Sequence, residues 1–446
     1  MKSARNIYKD EVDFAALALQ SPDFAKHVKP NGQLDFTDPD AVRQLTKSLL
    51  LRDFGLKVDL PEDRLCPPVP NRYNYILWLQ DLLDTTGDEY RDRYDPDRDV
   101  IGLDIGTGCC SIYPLLGCAS RPRWKFVATG ENTAESEIQE ANHDDADVDE
   151  QNIESARRNV QQNKLESRIK VIRTIPEGPL IDLDQRLEVE RLDFTMCNPP
   201  FYESEQEMIA SAEAKQRPPF SACTGANVEM VTTGGEIAFV TRMIEESLEL
   251  RERVQWYTSM LGKLSSVSVL VEKLMEYGNH NYAVTEFVQG NKTKRWAIAW
   301  SWADLRPEMS VARGIAGFPK HLLPFPSEFS FHISDKSIDE IGQKVNTELS
   351  FLPVQWHWRP GMAAGVGFAM ENVWSRQARR KRRNEDAAVK KDEVDEKKAA
   401  LGFKVQVKQE RASANEVAVQ VRWLKGTDTV LFESFCGMLK RKVEER

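Results

Sequence analysis

DRDVIGLDIGTGCCSIYPLLG, residues 97–117, reads as a short apolar run, a Gly-Thr-Gly turn and a second apolar run. Strand, tight turn and helix in that order open a parallel α/β unit. Gly106 and Gly108 let the backbone approach a ligand closely at the carboxyl end of the strand that ends at Asp104 and Ile105. Cys109 and Cys110 follow, so the pattern is not Gly-x-Gly-x-x-Gly. The missing third glycine disfavours NAD or FAD and suits a smaller adenosine-containing ligand. An ordinary glycine turn has the same appearance, so the flanking segments carry the assignment.

Alternating segments continue downstream. KFVAT (125–129), RIKVIRT (168–174), LDFTMCNPPF (192–201) and RVQWYTSML (253–261) predict strands. QNIESARRNVQQN (151–163), GGEIAFVTRMIEESLELRE (234–252) and SVSVLVEKLMEYG (266–278) predict helices between them. NYAVTEFVQ (281–289) and RWAIAWSW (295–302) close the run as an antiparallel pair, because their connection is short. The expected fold class is α/β: a doubly wound, mostly parallel sheet with helices on both faces. Upstream, residues 1–95 predict a helical extension. Downstream of this 96–302 domain, residues 303–326 have Pro and Gly punctuation and predict a linker. Residues 327–446 predict a smaller α+β domain with strands at 328–334, 354–360, 402–410 and 416–426. Helices are expected there at 336–349, 367–383 and 428–443, with a charged insertion near 384–400.

The chain has 446 residues, a net charge of -10 and 41% hydrophobic residues, enough for two to four packed cores and against wholesale disorder. No run reaches the roughly 18 apolar residues of a membrane span. MKSARNIYKDEVDF at the N-terminus lacks the apolar core of a secretory signal, so none is expected. Seven cysteines without a CxxC pair suit reduced thiols, and six scattered histidines do not suggest a metal site. The acidity is local: residues 130–150 hold nine carboxylates and no Lys or Arg. Residues 376–383, RQARRKRR, hold six basic residues and no acid, so the chain can still engage a polyanion.

Asn198-Pro199-Pro200-Phe201 is the sharpest chemical feature. It follows the apolar strand DFTMC and falls on the same sheet edge as Gly106. The prolines stiffen the loop and remove backbone donors. The Asn198 side-chain oxygen and the Pro199 carbonyl then face outward as acceptors, matching the two hydrogens of a planar exocyclic amine. Phe201 offers a face on which a base stacks. A ribose-binding carboxylate belongs at the end of the next strand. Asp147 is favoured, with the acidic insertion looped out before it, and Glu131 is the alternative.

These features are similar to those of S-adenosylmethionine-dependent amino-methyltransferases with an (Asn/Asp)-Pro-Pro-(aromatic) motif. VPNRYNYILW (69–78), LDIGTGCCSIYPLLG (103–117), MCNPPF (196–201), TGGEIAFVTRMIEESLEL (233–250) and WYTSMLGK (256–263) together resemble the eukaryotic methyltransferase-like sixteen family, in a fungal-type form. The resemblance covers most of residues 1–302. It implies a Rossmann-like class I methyltransferase sheet and S-adenosylmethionine as cofactor. It also implies transfer to adenosine N6 in structured RNA, U6 small nuclear RNA or mRNA hairpins, and work in the nucleus with the cytoplasm open as a second place. Metal and membrane are not expected. The same resemblance implies cofactor contacts from Arg72, Asp104, Gly106, Gly108, Cys110, Asp147 and Asn198, with Asn198, Pro199, Pro200 and Phe201 holding the adenine. A serine can stand in the family where this chain has Cys110. The C-terminal domain resembles the family's RNA-binding region.

Phosphate contacts are expected from basic residues on loops and arms. These are Lys2, Arg5, Lys9, Arg217, Lys263, Lys294, Arg295, Arg379, Arg380, Lys381, Arg382 and Arg383. Two rivals stay open: methylation of adenosine in ribosomal RNA, and a non-catalytic RNA-binding splicing factor on the same fold. A protein-glutamine methyltransferase would present a similar motif to an amide but would not need the basic arms.

Overall fold

The structure is a computed structural model that describes residues 5–62, 64–131, 143–175, 178–204, 206–207, 231–289, 293–378, 380, 394–410 and 415–445, with backbone alone at 131, 143–149, 289 and 293. Among these residues no helix is long and apolar enough to cross a membrane. The chain divides into two compact units. The first comprises Met1–Asp81, Tyr94–Trp302 and Gly314–Leu322; the second comprises Leu82–Arg93, Ala303–Arg313 and Leu323–Arg446.

The N-terminal helices are α1 (Phe14–Gln20), α2 (Pro22–Ala25), α3 (Pro39–Phe54) and α4 (Val69–Thr85). Local chemistry sets the ends of α3. The Asp38 side chain accepts from the Asp40 N–H, Pro39 occupies the first turn, and Gly55 closes the helix at φ +67°. The α/β region then runs β1 (Val100–Ile105), α5 (Ile112–Ser120), β2 (Trp124–Glu131), α6 (His143–Gln162), β3 (Ile169–Thr174) and β4 (Leu192–Cys197). It continues with α7 (Gly235–Leu250), β5 (Val254–Leu261), α8 (Leu264–Glu276), β6 (Tyr282–Gln289) and β7 (Thr293–Trp300). The sheet order is β3-β2-β1-β4-β5-β7-β6, with the two-residue β8 (Arg313–Gly314) beside β6. The first five strands are parallel, and β7 is antiparallel to both β5 and β6. This is the doubly wound class expected from the alternating segments.

Strand order reverses between β1 and β4, and ligands in such sheets bind outside the strand ends at that point. In the parallel register Ile105 lies opposite Cys197, so the turn at Gly106 and the loop at Asn198 leave the sheet side by side. Glycine at the centre of β1 makes room for the ring of its cross-strand partner on β4. A Cβ at Gly102 would lie 2.2 Å from the Phe194 ring. Phe194 is fully buried, and its ring packs against Phe126 and Trp124.

The helix expected from residue 151 begins eight residues earlier, at His143. Asp147 therefore lies within α6, rather than in the loop before it, and its side chain is outside the described residues.

The second unit is a five-stranded antiparallel sheet in the order β10-β11-β12-β13-β9. Its elements in chain order are α9 (Met309–Ala312), β9 (Glu328–Ser334), α10 (Ile338–Ser350), β10 (Gln355–Arg359), β11 (Ala364–Ala369), β12 (Leu401–Gln409), β13 (Glu416–Lys425) and α11 (Thr429–Glu444). A capping box between Ser337 and Glu340 starts α10, and the Asp428 side chain caps α11. One core joins Phe403, Val405, Val421 and Trp423 of the sheet to Leu349, Phe435 and Leu439 of the helices.

Three expectations differ from this unit. Residues 364–369, AGVGFA, form strand β11, whereas the expected helix began at residue 367. Two of its core-facing positions are Gly365 and Gly367, which leave room for the Trp356 ring; a Cβ on Gly365 would lie 2.4 Å from it. Glycine there erases the alternation that marks a strand. Residues 303–326 are not one linker either, since 303–313 group with the second unit and 314–322 with the first. Residues 82–93, expected in the N-terminal extension, also belong to the second unit. Asp92 there pairs with Arg422 at 2.9 Å and Lys404 at 3.0 Å, and Asp304 pairs with Lys425 at 2.6 Å. Partners this far apart in the chain leave no local pattern.

Candidate active site

A cavity of about 240 Å³ opens at the strand-order reversal in the first unit. Gly106, Thr107 and Gly108 form one side, and Asn198, Pro199 and Pro200 form another. Thr129, Gly130, Asn152, Ile153, residues 178–180, Thr232 and Phe239 complete much of the rest. Gly106 and Gly108 adopt φ +73° and +63°, the left-handed region that glycine enters without strain, and a Cβ at either would meet nothing. Glycine is thus required by conformation, and the turn keeps its outer side open.

Beside this turn two buried charged groups keep an unpartnered atom each. Asp104 is buried, accepts from the Thr107 hydroxyl at 2.7 Å through Oδ2, and has no partner at Oδ1. Burial raises its carboxyl to about 7, against the opposing pulls of the Thr107 hydrogen bond and the Arg72 charge. Arg72, from α4, is also buried, and its Nε has no partner. Neither residue lines the cavity itself, but buried polar atoms are normally satisfied, so an orphaned carboxylate oxygen and an orphaned guanidinium N–H beside it leave capacity for a ligand with both signs of charge. An amino-acid zwitterion has that character, and the methionine part of S-adenosylmethionine is one. The open glycine turn suits its adenosine part, so these residues fit the cofactor.

Arg72 also organises the motif loop. Its Nη1 donates to Asn198 Oδ1 at 2.7 Å and to the Tyr113 hydroxyl at 2.7 Å. Arginine has donors only, so this bond fixes which end of the Asn198 amide faces it. The oxygen expected to be free for substrate already holds one hydrogen bond, and its second lone pair remains for another.

Phe201 is half-buried. The Arg295 guanidinium lies 5.4 Å from its ring centroid, a cation–π contact. Burial, and then the charge of Arg72, push the Arg295 guanidinium below its ordinary range. On another side Phe201 meets Gly262, where a Cβ would lie 3.0 Å from the ring. The buried Glu236 carboxylate fixes that loop by accepting from the Gly262 and Lys263 N–H groups at 2.6 and 3.1 Å.

Other expected contacts fall differently. Cys110 is buried, does not line the cavity, and burial raises its thiol far above the usual range. Arg5 pairs with Asp81, Lys263 with Glu207 at 2.7 Å, and Lys294 with Glu286 at 3.1 Å. Lys9 and Arg380 are exposed. Lys2, Arg217, Arg379, Lys381, Arg382 and Arg383 lie outside the described residues, as do the side chains of Glu131 and Asp147. Arg295 was expected as a loop phosphate contact and instead stands over Phe201. The lining residues Asn152, Ile153 and Phe239 had no sequence signal, because helical positions facing a cavity and facing a core share one pattern, and Thr232 lies in an irregular segment before its helix.

A family profile described as RNA methyltransferase matches residues 2–304. The chain belongs to this RNA methyltransferase family. Among curated relatives, the U6 small nuclear RNA (adenine-(43)-N(6))-methyltransferase of Schizosaccharomyces pombe is 35% identical over 415 residues, covering 93% of this chain and 96% of the relative. The human RNA N(6)-adenosine-methyltransferase METTL16 is 42% identical over 310 residues, covering 68% of this chain and 50% of the relative. The matched region thus spans nearly all of the yeast relative and about half of the human one. The crystal structure of the human Mettl16 catalytic domain in complex with MAT2A 3'UTR hairpin 1 is 41% identical with a TM-score of 0.56, covering 68% of this chain and 95% of that one. The N-terminal domain of human METTL16 in complex with SAH is 38% identical with a TM-score of 0.52, covering 68% and 98%.

Proposed function

We propose that the protein transfers a methyl group from S-adenosylmethionine to the N6 amine of an adenosine in structured RNA, with U6 small nuclear RNA as the principal target. The observation that carries this is the adjacency of the open glycine turn and the motif loop in one cavity, at the ends of β1 and β4. The named substrates of the relatives support RNA adenosine, and the near full-length match to the yeast enzyme favours U6 over ribosomal RNA. Those substrates also point to nuclear work, and we propose the nucleus as its location.

S-adenosylmethionine supplies a methyl group activated by a sulfonium. The chain's contribution is to bind and align, which can account for much of the acceleration of a displacement. Arg72 Nε and Asp104 Oδ1 hold the carboxylate and ammonium ends of the methionine part, and Gly106 and Gly108 admit the adenosine part. Asn198 Oδ1 and the Pro199 carbonyl accept the two N6 hydrogens. Acceptors at both hydrogens favour a pyramidal nitrogen, whose lone pair is released from the ring as the N–C bond forms, and this stabilises the transition state. The C–S electron pair stays on sulfur, and the extra proton on nitrogen passes to water. Phe201 supports the base, and the Arg295 guanidinium steadies the Phe201 ring through their cation–π contact.

Asp104 must be ionised to pair with an ammonium group. Its carboxyl, raised to about 7 by burial, loses that charge as pH falls through 7. Binding of S-adenosylhomocysteine should be about tenfold weaker at pH 6 than at pH 8, as one proton linked to one site requires. Calorimetry at the two pH values measures this, and a flat profile would exclude Asp104 from the contact. Gly262→Ala should press on Phe201 and raise the KM for RNA about tenfold, a cost typical of a misplaced methyl group. Affinity for S-adenosylhomocysteine should not change, and steady-state kinetics with calorimetry separate the two.

The RNA assignment is tested by offering the purified protein a labelled methyl donor with a U6 transcript, an isolated hairpin and a ribosomal RNA fragment. Preferred labelling of ribosomal RNA would overturn the U6 assignment. RNA binding without labelling of any of the three would favour the non-catalytic alternative.

A further inference from the structure

Asn152 lines the cavity from α6, the helix that follows β2. Its amide is held from outside that helix. Arg64, buried in the segment before α4, donates through Nε to Asn152 Oδ1 at 3.0 Å and through Nη2 to Gln151 Oε1 at 2.9 Å. A guanidinium has donors only, so the oxygen end of the Asn152 amide faces Arg64. The nitrogen end points away from it. Asn152 Nδ2 donates to no described residue and is not sealed from solvent. A buried residue thus keeps an N–H2 group open toward the cavity. Leu65, next to Arg64, lines the same cavity.

Sheet order decides which part of the cofactor meets this group. The order β2-β1-β4 puts the Gly106 turn between the Asn198 loop on one side and the end of β2 with α6 on the other. A ligand with its methyl group at Asn198 and its middle across the Gly106 turn brings its adenosine part to the β2 side. We propose that Asn152 is a cofactor-recognition residue whose Nδ2 donates to an acceptor of that adenosine part, a ring nitrogen or a ribose hydroxyl oxygen, and that Arg64 is the positioning residue that keeps this donor turned inward. The inference rests on the reading that this cavity holds S-adenosylmethionine. A donor enclosed by a ligand that offers no acceptor is left unpaired, which costs more than the bond itself contributes. Asn152 therefore selects for a ligand with an acceptor at that point. Arg64 fixes the amide before the ligand arrives, so little rotational freedom is lost on binding.

The test uses calorimetry on the full-length wild type, Asn152→Ala, Asn152→Asp and Arg64→Ala. The ligands are S-adenosylhomocysteine and analogues in which a single ribose hydroxyl is removed or a single ring nitrogen is replaced by C–H. Asn152→Ala should bind the parent compound about tenfold more weakly, the effect of losing one hydrogen bond in a buried site. Wild type should lose a similar factor with the analogue that lacks the partner atom, and Asn152→Ala should not tell that analogue from the parent. Which analogue this is separates a ring nitrogen from a hydroxyl. Asn152→Asp keeps an oxygen toward Arg64 but presents a second oxygen in place of the donor, so it should bind at least as weakly as Asn152→Ala. Arg64→Ala frees the amide to turn and should weaken binding about threefold, and adding Asn152→Ala to it should cost less than on the wild-type background. Should Arg64→Ala fail to fold, Arg64→Lys, without the forked donors, carries the same comparison. Wild-type affinity in Asn152→Ala, or a loss by one common factor for the parent and every analogue, would overturn the recognition role. Fully additive losses at 64 and 152 would overturn the positioning role. A wild type that binds no S-adenosylhomocysteine would overturn the cavity assignment, and the proposal would fall with it.

Discussion

Asn198→Ala is expected to abolish measurable methyl transfer while leaving RNA affinity within a few-fold of wild type. The substitution removes the oxygen that receives the Arg72 hydrogen bond and, in the proposed complex, one N6 hydrogen. Loss of one positioned hydrogen-bonding group at a reacting centre typically costs about 10²–10³ in rate. Here the same change also releases Arg72, so the effect should sit at or beyond the upper end. Asn198→Asp keeps acceptor oxygens toward both Arg72 and the amine and should retain activity. Single-turnover methylation with filter binding separates rate from affinity. A large loss of RNA binding in Asn198→Ala would count against a role at the amine.

Arg72→Ala should be nearly as damaging, by a different route. Arg72 holds Asn198 and Tyr113 through one nitrogen, and its charge helps keep the buried Asp104 ionised. Its removal frees the Asn198 amide to rotate and raises the Asp104 carboxyl further. A loss of about 100-fold in kcat/KM is expected, since breaking a buried charged network removes several kcal/mol. The sign of the pH effect is specific. Without the nearby cation, Asp104 ionises only at higher pH, so the midpoint for S-adenosylhomocysteine binding should move upward. Arg72→Lys should rescue poorly, because an ammonium cannot reproduce the forked donors. Kinetics and calorimetry across pH measure all three, and a midpoint that stays put would disconnect Arg72 from Asp104.

The sheet and the position of the site were legible because they rest on short-range patterns. The apolar run before Gly106 and the one before Asn198 each identify a parallel strand by its C-terminal loop. Two such loops at a reversal of strand order must meet. Three kinds of feature were not legible. The strand at 364–369 hides behind Gly365 and Gly367, whose missing side chains admit Trp356 and erase the alternation. The membership of residues 82–93 and 303–313 in the second unit depends on ion pairs such as Asp92 with Arg422. The fastening of residues 180 and 181 is set by Glu246 accepting their N–H groups, and any glutamate on a helix looks the same in sequence. The residue types of the motif loop were readable, but the partner of Asn198 was not. Arg72 reaches it from a helix more than a hundred residues earlier.

Nucleoside analysis of a U6 transcript, methylated by wild type and by Asn198→Ala with a labelled donor, probes the proposed chemistry at its root. The expected result is label on N6-methyladenosine with wild type and none with the variant. Label on any other atom or base, or equal N6 labelling by both proteins, would contradict an aromatic amine held by the oxygens at residues 198 and 199.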